Sequence, residues 1–402
     1  MQNKTSFIIV TILFFLNCFG VLLFRIPNPI KEFIVIISIL YLITRREKHI
    51  FSSYIIIFYI FIFVNLIMCQ YNYGQSVLSG ILGNEFVNLF LIGSYFIFSC
   101  LKVKRRVLEN SIDYLCIIFC TCYLVQQAVF PYVIFEGASS VNVESTETFR
   151  IRLTGQAISF LAYAKSLNSL LIEKHCNKKY YYMLITSILV TIFLGFRVQI
   201  LSLAILSLFM IFKIKGFKSD LFKYIFIGTL LFVILSFIPA VNTMIESTLE
   251  RSQDQNFNNS DYVRLREYNY YTEVHLNGFS EWFWGSGLPG LNSSYSTSID
   301  DLKDNGLVWA DWGMIGLSWL LGIPAVTIFV FILLKCLFLK RNKDHMYVTV
   351  WILFLLLGTI FQREFYRVGN PFVIGMILYL SELVHKSFLL NENRNNNFSL
   401  RS

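Results

Sequence analysis

Nine arginines in the connecting segments offer this chain its clearest chemistry: Arg25, Arg150, Arg152, Arg197, Arg251, Arg264, Arg266, Arg363 and Arg367. A guanidinium is a planar fork that grips phosphate or carboxylate through two parallel hydrogen bonds, which a lysine ammonium cannot do. Arg150 and Arg152 stand two residues apart before Leu153-Thr154-Gly155, so an extended backbone would let both bracket one anion. The competing role for that pair is anchoring to lipid headgroups. Arg197, in Gly195-Phe196-Arg197-Val198-Gln199, lies between two apolar runs with almost no loop. A charge so close to membrane depth is costly and points to function, unless the side chain simply snorkels outward. Arg264 and Arg266 precede Glu267 in a tract that also holds Tyr262, Tyr268, Tyr270 and Tyr271. Guanidinium groups for phosphate and aromatic faces for sugar rings would suit a phosphosugar; a solvated surface helix would carry the same residues.

A sugar hydroxyl needs a base to become a nucleophile, and a carboxylate at a membrane boundary can serve. The stretch Asp300-Asp301-Leu302-Lys303-Asp304-Asn305 supplies Asp304 and Asp301 as candidates, with Glu267 in reserve. A helix N-cap would equally favour Asp and Asn there. Ahead of it runs Trp284-Gly285-Ser286-Gly287-Leu288-Pro289-Gly290, whose glycines would let backbone amides approach a ligand closely. Tyr268, Tyr271 and Trp284 are the aromatic candidates for holding a glycan. An interfacial belt accounts for most of the tryptophans Trp282, Trp284, Trp309, Trp312 and Trp319. His275 reads as a surface imidazole, and Glu364 as the partner of Arg363 and Arg367 in an external turn.

These residues must be positioned by membrane helices. Apolar residues make up 55% of the chain and charged ones only 15%, which excludes an ordinary soluble protein. About twelve apolar runs follow, near 6–24, 30–44, 51–69, 86–101, 111–131, 154–172, 180–195, 198–212, 221–239, 306–334, 346–361 and 370–385, several shorter than the usual span. The first reads as a span because Arg25 and Pro27 follow it and no cleavage site does. Lysine-rich connections (Arg45–Lys48, Lys102–Arg106, Lys174–Lys179, Lys213–Lys223, Lys335–Lys343) recur at every second turn. The positive-inside rule then places both termini in the cytoplasm and the arginines outside, with Arg197 at the outer apex of the seventh and eighth runs. The net charge of +9 is thus topological and calls for no nucleic acid. The eight cysteines have no metal or redox spacing, and Lys165 stands alone inside the sixth run.

The expected organisation is all-helical: nine spans in 1–239, an external loop over 240–305, three spans in 306–385 and a cytoplasmic tail over 386–402. A second external segment covers 132–153. Residues 261–277 have helical spacing, 285–290 read as turns, and the Asn-rich stretch after 390 reads as disordered. No internal repeat of the transporter kind is present, and ionisable residues lie almost wholly outside the apolar runs, which argues against a flippase or exporter.

Taken together, these residues resemble the O-antigen polymerase and ligase superfamily. The shared pattern is Arg152-Leu-Thr-Gly155 entering a mid-chain span, Arg197 at the next outer apex, and Arg264 and Arg266 in a large external loop. Gly285-Ser-Gly287 and a span opening with Gly313 and Gly316 complete it. The resemblance covers most of the chain in topology and about 150–320 in motif. It implies a GT-C-like helical bundle in a bacterial inner membrane that acts on undecaprenyl-diphosphate-linked oligosaccharide without metal or nucleotide, beside membrane lipid and a chain-length regulator. Arg152, Arg197, Arg264 and Arg266 would hold the diphosphate. The ligases carry His-Asn just before the span that follows the loop. Here Asp304-Asn305 stands in that place, which points to the Wzy-type polymerases over the WaaL-type ligases that transfer glycan to lipid A core or protein.

Overall fold

In lipid a backbone has no water to bond to, so an apolar run crosses a membrane only as a helix or a closed barrel. The computed structural model describes residues 6, 7, 9–11, 27–135, 139–141, 150–153, 155–172, 177–195, 197–216, 263–276 and 278–399. The ninth apolar run, most of the first, Arg25, Arg251, Tyr262 and the first third of the large loop lie outside them. Arg150, Arg152 and Arg197 are described in their backbone only.

The helices in chain order are α1 (Asn28–Arg45), α2 (Ser52–Tyr73), α3 (Val77–Ile81), α4 (Asn84–Cys100, with a 3-10 turn at Leu91–Gly93) and α5 (Arg105–Val129). There follow α6 (Ala157–Ile172), α7 (Lys178–Leu194), α8 (Arg197–Lys215) and α9 (Val263–Asn269, continued as a π turn to His275). Then come α10 (Phe279–Trp284), α11 (Ser294–Asp304), α12 (Gly313–Leu321), α13 (Ile323–Phe338), α14 (Met346–Phe361) and α15 (Asn370–Ser399). The segment before α6 holds two short antiparallel strands, β1 (Ser139–Val141) and β2 (Arg150–Arg152), with Ser139 opposite Arg152. Among the described residues, five helices are long and apolar enough to cross a membrane: α2, α5, α8, α14 with its preceding turn, and α15. α4, α6 and α13 are apolar but shorter. Phe33, Leu40, Ile60, Leu201 and Phe331 point outward from their helices, a surface suited to lipid.

Two expectations from the sequence need correction. The run 306–334 is not one helix: Gly322, at a φ of +83°, stops α12, and Pro324 in the first turn starts α13. The stretch after residue 390 is not disordered either, because α15 continues to Ser399.

α6 is the hub, packed by α5, α7, α8 and α14. Phe160 stacks on Phe354 at 3.8 Å between ring centres, and the Trp351 indole N–H donates to the Ala157 carbonyl at 2.8 Å. The lysine-rich connections are bonded to one another at one end of the bundle. Lys102 pairs with Glu47 at 2.7 Å, His345 with Glu109 at 2.8 Å, and Arg105 donates to Ser387. Lys343 donates to the Ile214 carbonyl at 3.0 Å. Lys165 belongs to this end too: it and Lys179 share Asp113, at 2.6 and 2.7 Å. The turns bearing Arg152, Arg197 and Arg367 lie at the other ends of α6, α8 and α15.

Candidate functional site

Glu267 is the most buried carboxylate among the described residues of the large loop. It projects from α9, which docks against the 3-10 turn Trp309–Trp312, and is only 1% exposed. Its Oε1 accepts the Val308 backbone N–H at 3.1 Å, and the Trp312 indole N–H stands beside the same carboxyl. Burial pushes the carboxyl up from its usual range to about 7; the Val308 amide opposes this, Asp311 adds to it, and Arg264 and the Trp312 indole oppose it. A carboxyl poised near neutrality and buried beside aromatic rings has the properties of a general base. The rings start with Tyr268, the next residue, whose ring lies 5.2 Å from Trp312 and 6.3 Å from Trp319. Tyr268 is 39% exposed, so one face is open to a ligand.

Asp311, inside the 3-10 turn, is a second described carboxylate acting on Glu267. Asp301 and Asp304 are exposed on α11, and Asp304 is its last residue. The N-cap alternative for the Asp304-Asn305 stretch therefore falls, since Ser293 caps α11 at its start through Ser296 N–H. Lys303 pairs with Asp300 at 2.6 Å, and Arg266 reaches the Asn305 carbonyl at 3.3 Å. That last contact ties the end of α11 to α9.

Two aromatic candidates are placed for packing. Tyr271 is wholly buried, stacked on Trp319 at 4.8 Å with its hydroxyl on the Leu307 carbonyl. Trp284 meets Phe61 and Phe283 and is not among the rings around Tyr268. The glycine turn is closed as well: Ser286 and Gly287 donate their amides to the Trp319 and Leu320 carbonyls at 2.8 and 2.9 Å. Those amides dock the loop onto α12 and are not available to a ligand. His275 is not a free surface imidazole. Its ring lies among Tyr73, Tyr270, Tyr271 and Tyr295, and burial lowers its pKa.

A second polar centre forms at the turn between α14 and α15. Glu364 Oε1 accepts from Arg367 Nη2 and from Gln199 Nε2, both at 2.8 Å, and Arg367 Nη1 donates to Gln156 Oε1 at 2.5 Å. Gly155 N–H reaches the Val368 carbonyl at 2.9 Å. Gln156 follows β2 and Gln199 lies two residues into α8, so the segments bearing Arg152, Arg197 and Arg367 converge here. The predicted arginine group thus falls into two sets, with Arg264 and Arg266 at the first centre and the other three segments at the second.

Sequence reasoning missed the amides that hold these pieces. Asn65 Nδ2 donates to the Trp284 and Leu320 carbonyls at 2.6 and 2.7 Å. Gln75 donates to the Leu288 carbonyl and accepts from Gly290 N–H, both at 2.8 Å. Asn88 donates to the Tyr366 carbonyl at 2.6 Å and accepts from Gly369 N–H at 3.0 Å. For Asn65 and Asn88 a lone amide inside an apolar run was the available signal; Gln75 lies between runs and carried none. Among the described residues no three His, Cys, Asp or Glu side chains converge as a metal site. No family model and no curated protein sequence matches this chain.

Proposed function

We propose that this protein is a polymerase of lipid-linked oligosaccharide repeat units, building a surface polysaccharide such as O-antigen or capsule at the outer face of the bacterial plasma membrane. The finer architecture of that reading is a GT-C-like bundle of about twelve spans with both termini cytoplasmic. The acceptor sugar hydroxyl attacks the anomeric carbon of the donor glycan. The bond from that carbon to the diphosphate oxygen breaks, polyprenyl diphosphate leaves, and the hydroxyl proton passes to the base. Arginines stabilise the charge that gathers on the leaving diphosphate, as fixed donors do for a developing oxyanion. Arg152 and Arg197 serve from the second centre, Arg264 and Arg266 from the first.

The observation that carries this reading is Glu267: a buried carboxyl held near neutrality beside the half-open Tyr268 ring and within electrostatic reach of Arg264. It displaces as the preferred base Asp304 and Asp301, which are exposed on α11. Purified protein in liposomes, supplied with a polyprenyl-diphosphate oligosaccharide, tests it. Glu267→Gln should slow elongation by about 10²–10⁴-fold with folding intact. Undiminished elongation would remove Glu267 from the mechanism, and absence of any elongation by the parent protein would remove the polymerase reading.

A further inference from the structure

Resting on that reading, we infer that Glu364 is a positioning residue: through Gln199 and the Arg367–Gln156 link it fixes the spacing of the Arg152- and Arg197-bearing segments before any anion arrives. One carboxylate oxygen receives both Gln199 and Arg367. Gln199 lies two residues beyond Arg197 in the first turn of α8, about 3 Å further along the axis. Gln156 lies four residues beyond Arg152, and the neighbouring Gly155–Val368 bond holds that corner of the chain. The Asn370 side chain donates to the Glu364 carbonyl at 2.5 Å, fixing the turn from its other side. The Glu364 side chain is 0% exposed and that of Arg367 10%.

Stability alone does not account for this cluster. Replacing a buried ion pair by packed apolar residues is commonly neutral or stabilising, whereas such a pair can enforce one geometry. Geometry is what a diphosphate site needs. Guanidinium groups repel one another when the site is empty, so their separation must be imposed by the surrounding structure for binding to avoid that ordering cost. No arginine of the site needs to touch Glu364 for this; the carboxylate acts on the backbone segments that carry them.

The test is a double-mutant cycle in the full-length protein, with inorganic diphosphate as the probe and monodisperse protein throughout. Arg152→Lys and Arg197→Lys should each weaken diphosphate binding about 10-fold, and Glu364→Gln should do the same in the parent background. With Arg152→Lys and Arg197→Lys both present, Glu364→Gln should add less than about 2-fold, because no guanidinium of that set remains for it to position. If Glu364→Gln does not fold, Glu364→Gln with Arg367→Gln takes its place in the cycle, since it keeps amide hydrogen bonds without stranding a guanidinium. Independent multiplication of the two effects, or no effect of the Glu364 change, overturns the positioning role and leaves the diphosphate reading standing. If the lysine variants bind as the parent does, or the parent binds no diphosphate, the diphosphate reading falls and the positioning role with it.

Discussion

The indole of Trp309 lies nearly parallel to the phenol of Tyr366, with ring centres 5.7 Å apart and planes 17° apart. Trp309 follows Val308, whose amide holds Glu267, and Tyr366 stands between Glu364 and Arg367. The Tyr366 hydroxyl also donates to the Gly313 carbonyl at 3.1 Å. The stack therefore joins the carboxylate centre of the large loop to the arginine centre of the α14–α15 turn through two buried rings, with little rotamer freedom between them.

Glu267 should give opposite pH signatures in activity and in stability. Its carboxyl is raised from the usual 4.5 to about 7 in the folded protein, so the native state holds that proton more tightly than the unfolded chain does. The linked stability is full below about pH 4.5, falls as pH rises toward 7 and is level above. Base-assisted elongation instead rises through about pH 7 to a plateau. Elongation rates and thermal unfolding across pH 5–9 check both, and Glu267→Gln should flatten both profiles.

Asp301→Asn and Asp304→Asn should each leave polymer length within about 2-fold of the parent, since solvated side chains away from special contacts are tolerant positions. Gel profiles of the polysaccharide at matched protein level decide the matter. Single repeat units from Asp304→Asn would return the base to α11.

Sidedness can be read directly. Reporter fusions at Ser140, in β1, and at Asn258 should report the outer face, and one at Lys178, which opens α7, the cytoplasm. Fusions at Ser140 and Lys178 that report the same side would contradict the separation of basic connections from arginine turns.

Gly313→Ala should reduce the yield of folded protein sharply while Ser318→Ala does not. Gly313 has a φ of +54°, and a methyl group there would overlap the Thr359 carbonyl oxygen of α14. Left-handed strain and a backbone clash together cost on the order of 2–4 kcal/mol. Detergent-extracted monodisperse protein, measured against the parent, is the readout.

The apolar runs were legible because lipid leaves a helix little alternative, and the ends of α2, α4, α5, α6, α7 and α8 fall within a few residues of them. The break at Gly322 was written in the sequence as Gly-Ile-Pro, but it sits inside an unbroken apolar stretch and was overridden by length. The site was less legible. Glu267 is distinguished from Asp301 and Asp304 by a Val308 amide 41 residues away, which no local pattern reports. Tyr268 and Tyr271 look alike in sequence, yet three residues of helical rotation leave one partly open and bury the other. Glycines 285 and 287 carry no mark that separates a ligand loop from a docking strap; the carbonyls of Trp319 and Leu320 make that distinction.

The bonds between α4 and the chain near α15 bear on how the protein is made. Ser94 waits for the Phe372 carbonyl and Asn88 for that of Tyr366, each 278 residues further along. At translation speeds of about 5–20 residues per second, that interval is on the order of tens of seconds. During it α4 must sit in or beside the bilayer with its amide and hydroxyl unmatched, a costly state in hydrocarbon. Nascent chains interrupted before residue 366 never reach those partners, and both side chains of α4 stay unmatched.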